Sequence, residues 1–284
     1  MIALWGPIIR PIVEAIEGRK ILEIGAEHGL STKALLNFVR SVEGHLHCID
    51  PSPEFDESNL LDEYPGYLSF YKDLSLNVIP NLPEVDVALV DGDHNWHTVL
   101  NELRLIEKQH NSDPERMPVI FLHDIGWPYA RRDLYYDPTT VPSEYRQPYA
   151  QRGIGRRKAE LLDAGGLNRT LNNAVMEGGP KNGVLTGIED FLKESELDFE
   201  FLDLPLYFGL GILITKQRIA GNQSLMDKID GLKDSLAGQS LIELNERFRL
   251  NTLLNHQQLE QELLEARQRI EELENALAKQ GAEK

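Results

Sequence analysis

The sequence predicts an α/β fold, a doubly wound and mostly parallel sheet, followed by a C-terminal α-helical coiled coil. Three observations carry this. Apolar runs of strand length recur through the first 220 residues, and several end in acidic or histidine-bearing turns. The first run passes into a glycine-punctuated turn that opens a helix. From about Asn222 onward there is no proline, and apolar residues recur at helical spacing. The chain therefore divides into a sheet domain over 1–220 and a helical tail over 221–284.

The first strand is Lys20-Ile21-Leu22-Glu23-Ile24, and the turn after it runs Gly25-Ala26-Glu27-His28-Gly29-Leu30-Ser31-Thr32. Gly25 and Gly29 leave the backbone bare for a ligand, and a helix from about Ser31 offers unpaired N–H groups. The spacing E-x-G-x-x-x-G differs from the dinucleotide fingerprint, and it lacks the Lys of a phosphate loop, which argues against a nucleoside triphosphate. A carboxylate at Glu23 attracts a cationic, amine-bearing ligand instead. The second strand, His45-Leu46-His47-Cys48-Ile49, ends in Asp50, where a doubly wound fold places the residue that grips a ribose. A third strand, Leu68-Ser69-Phe70-Tyr71, leads to Asp73, and an acid two residues before Ser75 is equally a helix cap.

The fourth strand, Val85 to Val90, delivers Asp91-Gly92-Asp93-His94-Asn95-Trp96 to the same edge, and Val119-Ile120-Phe121-Leu122 delivers His123-Asp124. Carboxylates and imidazoles at adjacent strand ends can hold a hard dication, with oxygen ligands favouring Mg²⁺ over Zn²⁺. An acceptor hydroxyl bound to that cation is acidified.

The E-x-G-x-x-x-G turn resembles the first motif of class I S-adenosylmethionine-dependent methyltransferases. The D-G-D-H run at Asp91 to His94, followed by His123-Asp124, resembles those acting on sugar hydroxyls, the macrolide-sugar, cephalosporin and mycobacterial polysaccharide O-methyltransferases. The resemblance spans about residues 18 to 216 and implies a Rossmann-like seven-stranded sheet whose last strand is antiparallel. It implies S-adenosylmethionine as cofactor, with Glu23, Gly25, Gly29, Ser31, Asp50 and Asp91 in its site and Asp73 beside the adenine. It carries metal ligation onto Asp91 and Asp124. His123 departs from the pattern, standing where metal-binding relatives have an acid. A neutral imidazole is a good base near neutral pH, so His123 is the first candidate proton acceptor, with metal ligation as its second role and Asp93 and His94 as the other candidate bases.

The net charge of -17 disfavours nucleic-acid binding, and the lone Cys48 excludes a disulfide framework. With no evident signal peptide and no apolar run of membrane-spanning length, a cytoplasmic enzyme is expected. An insertion at about 125–195 holds Trp127, Tyr129, Arg131, Arg132 and Tyr149, and later Arg152, Arg156 and Arg157. Aromatic faces stack on sugar rings and guanidinium groups fork onto phosphate or carboxylate, which suits an anionic or phosphate-linked saccharide acceptor. The alternative acceptor is a small aromatic or antibiotic hydroxyl. In the tail, Leu225, Ile229, Leu232 and Leu236, then Leu259, Leu263, Ala266, Ile270, Leu273 and Leu277, form a heptad seam that predicts a homo-oligomer or a tether to a glycan-assembly partner. A non-catalytic adaptor organised by that coiled coil is the second class of function.

Overall fold

The structure, a computed structural model, describes residues 1–235 and 239–282. Helix α1 (Ile2–Leu4), a π-helical turn at Trp5–Ile9 and helix α2 (Arg10–Ala15) precede the sheet. Pro11 sits in the first turn of α2, where its missing N–H costs no intrahelical bond. Strand β1 (Lys20–Ile24), helix α3 (Leu30–Ser41), β2 (His45–Ile49), α4 (Glu57–Glu63), β3 (Leu68–Tyr71), α5 (Ser75–Val78), β4 (Val87–Val90), α6 (Trp96–Gln109) and β5 (Val119–His123) then alternate. The apolar runs predicted all five strands.

The insertion folds as a three-stranded antiparallel sheet of β6 (Leu134–Tyr135), β7 (Tyr149–Gln151) and β8 (Asn172–Ala174), in the order β6-β8-β7. Helix α7 (Val184–Glu194) leads back to β9 (Phe199–Leu204) and β10 (Leu210–Thr215). The main sheet is Rossmann-like, with seven strands in the order β3-β2-β1-β4-β5-β10-β9. Its first five strands are parallel, and β10 runs antiparallel to both neighbours. Strand order reverses between β1 and β4, which brings the exits of those strands together, the place where such sheets take ligands.

Both faces of the sheet are covered. Leu35, Leu36 and Val39 of α3 join Ile12 and Val13 of α2 on one face, while Leu100, Leu103 and Ile106 of α6 join Ile188 and Phe191 of α7 on the other. Each such side chain contributes about 1.5 to 3 kcal/mol on burial.

After α8 (Lys216–Ala220), the tail departs from the expected seam. In α9 (Gln223–Ser235), Leu225 and Ile229 are fully buried in the cluster that holds Ile12 and Val13, so this stretch packs on its own domain. The 44-residue helix α10 (Gln239–Ala282) buries Leu250, and Leu253 and Leu254 pack on the core. Beyond them Leu259, Leu263 and Ile270 are 63%, 52% and 55% exposed. Leu236 lies outside the described residues, as do the side chains of Leu273 and Leu277. Among the described residues no helix is long and apolar enough to cross a membrane.

Candidate active site

The turn after β1 is built around its neighbours. Gly25 has φ +90°, and a Cβ there would meet the Asp91 carbonyl oxygen at 2.3 Å, so its bare Cα serves the close approach of the β1 and β4 exits. Gly29, at φ +74°, caps α3 against the Phe55 ring, and Ser31 lies half-buried in the first turn. Asp50 ties two strand exits together: its Oδ2 accepts the Ala26 and Glu27 N–H groups at 2.8 and 3.0 Å, and its Oδ1 accepts the Ser52 N–H at 2.8 Å. Asp73 is exposed and accepts the Leu74 N–H and the Asn77 side-chain amide, while α5 begins after Leu74 with no side-chain cap, so Asp73 is not the helix cap that its place in the sequence also allowed.

Glu23 is only 2% exposed. The Cys48 thiol donates to its Oε2 at 3.3 Å, whereas its buried Oε1 has no hydrogen-bond partner. Burial, opposed by Thr32 and Cys48, pushes the Glu23 pKa up to about 7. Such a carboxylate is poised for a cationic partner.

At the ends of β4 and β5, two carboxylates and two imidazoles converge. His123 Nδ1 lies 2.9 Å from Asp124 Oδ2 and 3.1 Å from Asp91 Oδ1. His94 Nε2 lies 3.2 Å from Asp124 and 3.7 Å from Asp91, close enough for attraction but not aligned for a hydrogen bond. Asp91 also takes the Met1 ammonium at 3.0 Å on Oδ2. Asp124 holds a left-handed φ of 58°, a conformation that aims its carboxylate and costs on the order of 1 kcal/mol.

Burial alone would lower the His123 pKa, but Asp91 and Asp124 overcome it and raise it to about 10. Burial likewise opposes protonation of His94, and the two carboxylates again win. Asp91 is held well below the usual carboxylate range, because His123 and His94 outweigh its burial. Asp93, which accepts the Thr98 hydroxyl at 2.9 Å, is raised by burial. Near neutral pH His123 therefore already carries a proton between two carboxylates, a cation in a site shaped for one. The proton-acceptor role expected of His123 would therefore need the charge of Asp91 and Asp124 to be taken up by a cation.

The donor set fits a dication. One ligand atom each from Asp91, His123 and Asp124 lies within 4.8 Å of the others. Two carboxylates suit Mg²⁺, and the imidazole extends the range to Mn²⁺.

The aromatic insertion reaches this cluster only in part. Tyr129 stacks on His94 at 5.4 Å and 12°. Tyr136, which the sequence did not single out, places its hydroxyl 3.4 Å from His94 Nδ1. Trp127 is half-buried beside Asp124 in the chain, with its indole N–H unpartnered. Arg131 forks onto Glu189 at 2.6 Å, and Arg132, fully buried, donates to the carbonyls of Ala174 and Ala159, so both guanidinium groups are committed to the insertion's own structure. Tyr149 packs edge-on against Tyr135, on β7. Phe208, in the turn between β9 and β10, meets His123 edge-on at 6.5 Å. The Tyr207-Phe208-Gly209 run between two apolar strands was the signal for it.

A larger cleft of about 450 Å³ lies between α6 and α7, where Arg104 pairs with Glu194, Lys193 with Asp190, and Lys181 lies over the Trp96 and Tyr145 rings, and it holds none of these acids or imidazoles.

Residues 22–125 match the family model described as a methyltransferase domain, a segment that opens in β1 and closes just after Asp124. No curated protein matches the chain. Among solved structures, the SAH-bound methyltransferase PaMTH1 of Podospora anserina is similar at 17% identity over 73% of this chain and 76% of that one, with a TM-score of 0.44. A protein of Staphylococcus aureus classed as a caffeoyl-CoA O-methyltransferase is similar at 13% identity over 73% of this chain and 80% of that one, with a TM-score of 0.45.

Proposed function

We propose that this chain is an S-adenosylmethionine-dependent O-methyltransferase that transfers the methyl group to a hydroxyl of a saccharide, at the cluster of Asp91, His94, His123 and Asp124. The observation that carries the reading is the convergence of two carboxylates and two imidazoles beside the glycine turn, at the reversal point of the sheet.

Glu23, Gly25, Gly29, Ser31, Asp50 and Asp91 would hold the cofactor, with Asp73 on the adenine side. Glu23 and Asp91 form an acidic seat, which suits a primary amine, the group a methionine moiety carries. S-adenosylmethionine supplies an electrophilic methyl on a sulfonium, and attack by the acceptor oxygen breaks the carbon–sulfur bond. The remaining work falls to the chain. Asp91, His123 and Asp124 would hold Mg²⁺ or a similar dication, which acidifies a bound hydroxyl. Asp93, His94 and His123 are the groups placed to receive the hydroxyl proton, and His123 can do so only once the charge of Asp91 and Asp124 is taken by a cation. Tyr129 and Tyr136 give the sugar an aromatic wall around His94.

The distal half of α10 is proposed to pair with a second copy. At about 1.5 Å per residue the helix reaches ~66 Å, and its Leu259, Leu263 and Ile270 share a stripe that is largely exposed among the described residues.

The deciding experiment is incubation with labelled S-adenosylmethionine and a panel of glycans and small phenols, with product linkage read by NMR. Label in a sugar methyl ether supports the reading. Transfer to phenols alone refutes the sugar acceptor, and failure to bind S-adenosylmethionine would leave an adaptor.

A further inference from the structure

Helix α10 turns two different stripes to opposite sides. The inner stripe faces its own domain: Leu250 is buried, Leu253 and Leu254 pack on the core, and Arg169 of the insertion donates to the Gln261 side chain. With Gln257, these are the only described residues between Leu250 and Ile270 that are not exposed. After Gln261 the helix therefore runs clear of its domain, and the remainder to Ala282 projects by roughly 30 Å at 1.5 Å per residue. The outer stripe lies roughly 160° round the helix from the inner one, at 100° per residue. It holds Leu259, Leu263 and Ile270, all more than half exposed. In the sequence Ala266, Leu273 and Leu277 complete its four-and-three spacing.

Toward the N-terminus the outer stripe stops. The preceding positions of the same spacing are Arg249, Thr252 and His256. Arg249 is forked onto Glu246 and lies over the Phe208 ring at 4.4 Å, and the Thr252 hydroxyl donates to the Phe248 carbonyl at 3.0 Å. Both of these side chains serve their own chain, so the apolar surface open to a partner spans 259–277. Its flanks say what covers it. In heptad register Leu263, Ile270 and Leu277 stand at a, and Leu259, Ala266 and Leu273 at d, with Glu262 and Arg269 at g and Arg267 and Glu274 at e. Ile270 at a, with Leu259 and Leu273 at d, suits two strands.

We propose that this stripe meets the same stripe of a second copy in a parallel, in-register, two-stranded coiled coil, which fixes the direction of the self-pairing on which it rests. Every apolar layer then meets its own counterpart, Glu262 faces the partner's Arg267, and Arg269 faces the partner's Glu274. These flanking contacts are all attractive. An antiparallel pair that keeps the same layers, with Leu263 against the partner's Leu273 and Leu259 against the partner's Leu277, sets Arg267 and Arg269 each against its own counterpart. Sliding that pair by one heptad cures the charges but spoils the core, since Leu273 then meets the partner's His256 and Leu277 the partner's Thr252. Parallel pairing satisfies both. It leaves the inner stripe seated on its own domain, and it puts both sheet domains at one end of the coiled coil.

The test uses the full chain and needs no acceptor. Light scattering should give a dimer. Gln280→Cys places a thiol at the next d position, and mild oxidation should link two copies of it covalently, because position 280 meets itself only in the parallel pair. In either antiparallel register the two thiols stand roughly 36 Å or more apart, at 1.5 Å per residue. The native Cys48 is buried and takes no part. Arg267→Glu combined with Arg269→Glu should weaken the dimer about tenfold, and mixing that variant with Glu262→Arg, Glu274→Arg should restore pairing as a heterodimer. A dimer that fails to cross-link at position 280 overturns the direction and leaves the self-pairing standing, whereas a monomer overturns both. A larger assembly overturns the two-stranded form, and a dimer indifferent to the charge reversals overturns the register.

Discussion

Replacing Glu23 by Gln should stabilise the protein above neutral pH while weakening its grip on the cofactor. Glu23 is 2% exposed, and its pKa rises from 4.5 to about 7, chiefly through burial. A folded value above the unfolded one means that the stability contributed by the protonated carboxyl is complete below about pH 4.5. It is then lost as pH rises through about 7. The gap corresponds to about 3 kcal/mol, at roughly 1.4 kcal/mol per tenfold change in proton affinity. Gln keeps an acceptor for the Cys48 thiol and carries no charge to desolvate. Urea unfolding of both proteins across this range should show a small difference near pH 4.5 that grows to about 3 kcal/mol by pH 7, in favour of the variant, and then levels off. Calorimetry with S-adenosylmethionine should show weaker binding to the more stable protein. Stability curves that stay parallel from pH 5 to 8, or a variant less stable at pH 8, would refute the reasoning, because the burial would then be satisfied by something other than a proton or a ligand cation.

Removing the Asp50 carboxylate by Asp50→Ala releases two backbone N–H groups of the turn after β1, those of Ala26 and Glu27, and that of Ser52 after β2, and calorimetry with S-adenosylhomocysteine should show a loss on the order of 1.5 to 3 kcal/mol; unchanged affinity removes Asp50 from the site. Exhaustive chelation should abolish turnover and Mg²⁺ or Mn²⁺ should restore it, whereas full activity of the metal-free protein leaves Asp91 and Asp124 as hydrogen-bond acceptors only. With a cation present, His123→Ala should lose turnover, and a variant with full turnover alongside an inactive Asp93→Ala or His94→Ala moves the base. Truncation after Ser235 exposes the surface that Leu250, Leu253 and Leu254 cover and should give a monomer by light scattering with a lower melting temperature and little activity; a fully active truncation would show that α10 neither closes nor supports the site.

The strands and the edge that carries the chemistry were legible because both are local properties of the chain. A buried parallel strand is a continuous apolar run, and Glu23, Asp50, Asp91, His123 and Asp124 stand where such runs stop. Their convergence follows from the strand order alone. What the sequence hid depends on partners far along the chain. Arg131 and Arg132 are adjacent, yet one pairs with Glu189 and the other is sealed beneath two carbonyls. At Gly25 the bare Cα also serves the close approach of Asp91 and Gly92, a demand set by residues far along the chain. Leu225 and Ile229 show the same spacing whether the surface they bury against is another chain or α2, and period cannot distinguish the two.

Asp133 has a consequence for how the site is reached. Its carboxylate accepts the N–H of Trp96 at 2.8 Å and that of Gly183 at 2.6 Å on one oxygen, and the Tyr135 hydroxyl at 2.7 Å on the other. One buried side chain thus bolts the start of α6, the entry to α7 and the insertion's first strand to a common point. The insertion cannot swing open as a flap without stranding that charge in the interior. An arriving acceptor meets walls whose conformational entropy was surrendered when the chain folded, so discrimination rests on fit to a preformed shape rather than on the closing of a gate.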